Sequence, residues 1–403
     1  MKEKWLAKRV KLLVANARIY HPLRQIAQTK LRATYNELVS KNIDVIDMGE
    51  AFSYRGAADN VREATKKALY QKKIPMVSDK GDRELLEAIA WKMKTYNKMD
   101  VDPDQILVTN ACTHANFLFQ MAILEEGDEV LHPDPDFSYL QQRVGLFGAK
   151  SLGVPLKEEE GNKIIKEDWE SMVTPKTKAI YLTNPNNPGG RVFTRKELSV
   201  LADIAIENDL LVNVDEVYDQ MVFEPHKHIS IATLPGMAER TFTLNSFSKI
   251  HGMEGWRIGY IISPSIEFNN HLLCILSNST HAFCSIIQKG AAVAVKDLES
   301  VKQYVKEDKI LRDGTYKRLL EIDDIRCLEA EGGNTLFPNM SKYFKSSEAC
   351  NQYLLEEAHV NMEAGIHFGD QGEGHIRLAF GLNPLERNLI AIDRIEAALK
   401  KLR

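Results

Sequence analysis

No run of about 18 consecutive apolar residues, the length a membrane-spanning helix needs, occurs anywhere in the 403-residue sequence. The opening MKEKWLAKRVKLLVANARIY also lacks the apolar core and small-residue cleavage site of a secretory signal. A cytoplasmic protein without a membrane partner is therefore expected. Cysteine is scarce: Cys112, Cys274, Cys284, Cys327 and Cys350 make an odd number and contain no CxxC pair. That usage fits reduced thiols better than a disulfide framework or a zinc site. His226 and His228 in EPHKH have no Cys or carboxylate partner at ligand spacing, so they read as a surface loop and no metal is expected. Charge of one sign does not accumulate: 52 Lys and Arg face 56 Asp and Glu, spread without a tail, and no nucleic-acid partner is expected. Internal repeats and low-complexity segments are absent as well.

What is present is an ordinary globular composition, 44% hydrophobic and 27% charged. The length allows a large domain and a smaller one, each with its own core. After a helical arm and a short strand ending at Gly49, strands and helices alternate. QILVT, DEVLHP, AKSLGVPL, KAIYLT, LLVNVD, TFTLN and WRIGYIIS read as strands; DRELLEAIAWKMKTY, THANFLFQMAIL and TRKELSVLADIAIEN read as helices. Apolar strands in β-α succession predict an α/β fold, a mostly parallel sheet covered on both faces, with active residues at strand ends. A helical stretch near 265–320 leads to a second, α+β region that closes with LERNLIAIDRIEAALKKLR. The expected division is 1–48 as arm and part of the small domain, 49–295 as large domain, and 296–403 as C-terminal small domain.

Several strand ends carry chemistry. In NSFSKIHGMEGWRIGY, Lys249 follows a strand that ends in Ser246, and Arg257 opens the next strand. Burial and a neighbouring cation would lower a lysine's pKa and keep it nucleophilic. In LLVNVDEVYDQMVF, Asp215 ends a strand and Tyr218 follows three residues on, so the two can serve one ligand only if the chain turns after Asp215. YLTNPNNPGG places Asn187 in a turn. In LVTNACTHANFL a strand feeds directly into a helix, where the amides of Cys112 and Thr113 could hold an anion. DEVLHPDPDF offers Phe137 as a stacking ring, and GEGHIRLAFG offers Arg377 as a planar fork for a carboxylate. Each has a plain alternative when read alone: a solvated lysine, an N-cap aspartate, a polar turn, a simple helix start, a core phenylalanine, a surface arginine.

Together these motifs resemble the class I/II aminotransferases, the fold-type I pyridoxal phosphate-dependent enzymes, from about Gly49 to Arg377. The resemblance implies a large domain with a mostly parallel seven-stranded sheet and a smaller α+β domain. It implies pyridoxal 5'-phosphate as a Schiff base on Lys249, with Asp215 on the pyridinium nitrogen and Tyr218 and Asn187 on the phenolate oxygen. Phosphate falls to Cys112, Thr113, Ser246 and Arg257, stacking to Phe137, and the substrate to Gly49, Asn187 and Arg377. Catalysis is carried by Lys249, Asp215 and Tyr218. It further implies transfer of an amino group from an amino acid to a 2-oxo acid, a homodimer reached by residues 277–283, and cis bonds at Asn187–Pro188 and Asp134–Pro135. The sequence departs from the family pattern at Ala111, Cys112 and Gly189, and at Met76, where a tyrosine is common. His21, His114, His251 and His367 lie near segments that approach the site. These departures leave a lyase, cyclase or oxidase of an amino acid on the same scaffold as the alternative.

Overall fold

Nearly every residue of the central strands is buried, yet successive ones join different apolar clusters, and the layers follow from it. Within Thr177–Thr183, Ala179 and Tyr181 join an apolar cluster with Leu107, Leu244 and Ile261, whereas Ile180 and Leu182 join another with Leu131, Val212 and Val214. Successive strand side chains face opposite sides, so such a strand must lie inside a sheet covered on both faces. The computed structural model of the chain describes residues 7–8, 22–137 and 143–403.

The order begins with α1 (Pro22–Ser40), β1 (Ile46–Asp47), α2 (Asp59–Leu69), α3 (Arg83–Lys92), β2 (Ile106–Thr109), α4 (Ala111–Ile123), β3 (Glu129–Asp134) and β4 (Lys150–Pro155). It continues through α5 (Lys166–Met172), β5 (Thr177–Thr183), α6 (Arg195–Glu207), β6 (Leu211–Asp215), β7 (Thr241–Ser246) and β8 (Gly259–Ile262). Then come α7 (Ile266–Ser277), α8 (Ser285–Lys296), α9 (Leu298–Leu319), β9 (Thr335–Leu336), α10 (Ser347–Ala358), β10 (Val360–Asn361), β11 (Glu363–Ala364), β12 (Ile376–Ala379) and α11 (Leu385–Lys400).

Helix α6 shows how local chemistry sets an element. Thr194 and Glu197 form a reciprocal capping box, which contributes about 1 kcal/mol at such an N-terminus. Leu198, Leu201, Ala202 and Ala205 then recur at helical spacing and bury one face against the sheet. Helix α3 stops short of its expected end and continues as a π turn, Met93–Asn97, and Lys92 and Asn97 both hydrogen-bond Asp219.

Seven strands form the main sheet in the order β2-β8-β7-β6-β5-β3-β4. All are parallel except β8, which runs against both neighbours. This is the mostly parallel seven-stranded sheet expected for fold type I. A second core gathers Ile46 and Met48 with Leu336, Leu354, Ile376, Leu378 and Ile392. There β1 pairs in parallel with β10, and β11-β12-β9 form an antiparallel sheet. No described helix is long and apolar enough to cross a membrane.

Candidate active site

Parallel strands bring their carboxyl ends to one edge, and a crevice at that edge is where open α/β sheets bind ligands. Strand β2 leads there to Ala111–Thr113, β3 to Phe137, β5 to Thr183, β6 to Asp215 and β7 to Ser246 and Lys249. Because β8 is antiparallel, its first residue, Gly259, pairs with Ser246, and Arg257 arrives at the same edge. A cavity of about 200 Å³ opens there. Cys112, Thr113, Phe137, Asn187, Asp215, Tyr218, Ser246, Lys249, Arg257 and Arg377 all line it. Gly49 stands just outside the lining, and its carbonyl accepts a hydrogen bond from Arg377 Nη2.

The chain does turn after Asp215. The Val217 amide donates to Asp215 Oδ1 at 3.0 Å and the Met221 amide to the Tyr218 carbonyl at 2.8 Å, so Asp215 and Tyr218 reach one cavity. Burial pushes the Asp215 carboxyl up to about 6, against the stabilising Val217 amide, the Cys112 thiol and Lys249. Tyr218 Oη is buried without a hydrogen-bond partner. Lys249 Nζ donates to the Ala51 carbonyl at 2.8 Å and lies 4.9 Å from the centre of the Phe52 ring. Burial first, and the Arg377 guanidinium second, bring Lys249 down to about 8.

The helix start is unusually close to the sheet. A Cβ on Gly259 would lie 2.8 Å from the Ala111 Cα and 2.7 Å from the Asn245 carbonyl, so glycine is what permits the approach. Ala111 itself is left-handed, at φ 59°, and Cys112 and Thr113 follow it in the cavity wall. The Cys112 thiol meets Asp215, a contact the sequence does not foretell. Arg257 is also left-handed, at φ 56°, is exposed, and donates from Nη1 to the Glu254 carbonyl at 2.9 Å.

Asn187 sits in a loop closed by the Asn186 amide donating to the Arg191 carbonyl at 2.7 Å. Its peptide bond to Pro188 is not cis, contrary to expectation; the cis bond in this loop is Asn184–Pro185, at the exit from β5, while Asp134–Pro135 is cis as expected. Arg377, only 5% exposed, places Nη1 3.5 Å from Asn187 Oδ1 and its guanidinium 4.8 Å from the centre of the Phe368 ring.

Sequence reading missed several wall residues: Glu50, Phe52, Thr183, Ser248, Glu363 and Phe368. It also missed Asp136, buried behind the wall and pushed by burial up to about 8 while accepting from the Phe137 and Thr183 amides. The acidic pattern DPDF, residues 134–137, was the available signal. Of the flagged histidines, only His367 lines the cavity among the described residues, and His21 lies outside them. His114 packs edge-on to Phe283 and His251 against Phe247. The surface-loop reading fails for His228, whose side chain is 2% exposed and 3.2 Å from Glu216. Folding brings Glu216, Asp219 and His228 together within 4.8 Å, a proximity no local spacing announces. Lys92 already pairs with Asp219 there and supplies the cluster's cation.

The family described as aminotransferase class I and II matches residues 43–395. A probable aspartate/prephenate aminotransferase of Aquifex aeolicus is 34% identical over 380 residues, which is 92% of this chain and 95% of that protein. Aromatic-amino-acid aminotransferase 2 of Thermococcus litoralis is 35% identical over 349 residues, 85% of this chain and 88% of that one. Among solved structures, an aspartate aminotransferase of Thermotoga maritima superimposes with a TM-score of 0.89 at 28% identity, covering 98% of this chain and 100% of the other. With the family match over residues 43–395 and this shared fold, the chain belongs to the class I and II aminotransferases, transferases of fold type I.

Proposed function

We propose that this chain transfers an amino group from an amino acid to a 2-oxo acid, using pyridoxal 5'-phosphate carried covalently on Lys249. The observation that carries the reading is the meeting, in one cavity, of a lysine brought down to about 8, a buried carboxylate and a buried tyrosine hydroxyl with no partner. The cofactor's chemistry fits these groups: its aldehyde suits Lys249, its ring nitrogen Asp215, and its phenolate oxygen Tyr218 and Asn187. Its phosphate suits Ser246, Arg257 and the helix start at Cys112 and Thr113, and its ring suits the face of Phe137. When bound, the cofactor supplies an electron-withdrawing ring that acidifies the substrate's α-hydrogen.

The chain's own residues do the rest. Asp215, ionised above about 6, holds a proton on the ring nitrogen. Lys249, as a free amine, would be the base that takes the proton from the substrate's α-carbon and the acid that gives it back. Arg377 holds the α-carboxylate, and the carbonyl of Gly49 fixes the guanidinium's direction. The division that goes with this reading is 1–48, 49–295 and 296–403. A cytoplasmic homodimer completes it, supported by five free thiols and by exposed apolar side chains such as Met76 beside the 277–283 segment. The test is Lys249→Ala: the yellow chromophore that borohydride bleaches should disappear, with keto-acid formation falling by at least about 1,000-fold. Retention of colour and turnover would refute the proposal.

A further inference from the structure

Strands β11 and β12 pair antiparallel with Glu363 directly opposite Arg377. Partners at one register position show their side chains on the same face, about 5 Å apart. The guanidinium assigned to the α-carboxylate therefore has a carboxylate at its side, and both line the cavity. Glu363 is not spent on Arg377. One of its oxygens takes His367 Nδ1, and His367 Nε2 lies 3.3 Å from Glu348. Burial opposes protonation of this imidazole, but the two carboxylates hold it up at about 9, so at neutral pH the trio keeps one excess negative charge. Arg377 Nε is buried and has no hydrogen-bond partner among the described residues.

Glu50, next after Gly49, lines the same cavity, and its charge acts on Lys249 and Tyr218. Among the described residues the cavity's cations are Lys249, Arg257, Arg377 and His367. The first three are assigned above, and both nitrogens of His367 face carboxylates. Among the described residues of this chain the wall thus keeps no unassigned cationic donor for a second substrate carboxylate, whereas Glu50 and the second oxygen of Glu363 remain for a cation.

We infer that the cavity selects amino acids with a cationic side chain, of the lysine and arginine class, by setting Glu363 and Glu50 around the side chain of a substrate whose α-carboxylate lies on Arg377. The inference rests on the proposed amino transfer for its placement of the substrate. The test uses the holoenzyme with arginine, lysine, norleucine and glutamate as donors, in two arms: transfer rate and calorimetric binding. Arginine or lysine should exceed norleucine and glutamate at least about tenfold in kcat/KM and in affinity, the scale of one hydrogen bond to a charged group. Glu363→Gln and the more exposed Glu50→Gln should each cut the arginine-to-norleucine ratio by roughly that factor. Glutamate matching arginine, or variants that lower arginine and norleucine alike, would overturn the inference. Selective arginine binding without turnover of any donor would uphold the subsite and refute the transfer reaction.

Discussion

Burial lifts the Asp215 carboxyl to about 6, while the proposed chemistry needs it ionised. A carboxylic acid with a raised native pKa binds more protons folded than unfolded across the gap, so stability falls as pH climbs from about 4 to about 6 and stays lower above. Asp215→Asn keeps an oxygen for the Val217 amide but removes the buried charge. In cofactor-free protein at pH 8, thermal or urea unfolding should show the variant more stable by about 3 kcal/mol. The same variant should lose at least about 100-fold in kcat with cofactor bound. A variant that is less stable, or fully active, contradicts the role given to this carboxylate. Asp215 and Lys249 were legible in the sequence through the motifs that flank them, since each has a plain explanation when read alone. Glu50 and Glu363 were not, since a glutamate in a loop or a two-residue strand is normally a solvated one.

At the scale of elements, His367 fastens α10 to β11 through Glu348 and Glu363. Its raised pKa sets the sign: the stabilisation is whole below about 6.5, the free imidazole value, and is lost as pH rises through about 9. His367→Ala leaves two carboxylates facing each other without the cation. Unfolding measured at pH 7 should show a loss of roughly 1–3 kcal/mol, and the gap between variant and parent should narrow near pH 10. A pH-independent difference would mean that packing alone is at stake. The loop that carries Asn187 is tied across to the second core in a comparable way. The amides of Glu331 and Gly332 both donate to the Gly190 carbonyl at 2.9 Å, and a Cβ on Gly190 would sit 2.6 Å from the Ala330 Cβ.

For the whole molecule, Met76 is 87% exposed and Tyr70 79%, with Ile74 between them. The segment is held by the Ser285 hydroxyl on the Pro75 carbonyl and the Ser277 hydroxyl on Asp79, next to the 277–283 stretch proposed for the partner. Exposed apolar side chains gathered in this way mark an interaction surface. Met76→Glu should shift the sedimenting species from dimer toward monomer, weakening association by on the order of 100-fold, and take cofactor retention down with it. A monomeric parent protein, or a variant that stays dimeric, would remove this surface from the proposal. The sequence by itself determined the α/β class, the sheet's strands and the residues at their carboxyl ends, because apolar strand runs alternating with helical patterns, and the polar residues at strand ends, are local signals written into neighbouring positions. Only the tertiary structure decided that Glu363 stands beside Arg377, that His228 is buried on Glu216, and that the Cys112 thiol meets Asp215. No helix or strand period sets those pairings: 14 residues separate Glu363 from Arg377, 12 separate Glu216 from His228 and 103 separate Cys112 from Asp215, so each exists only once the intervening chain has folded back.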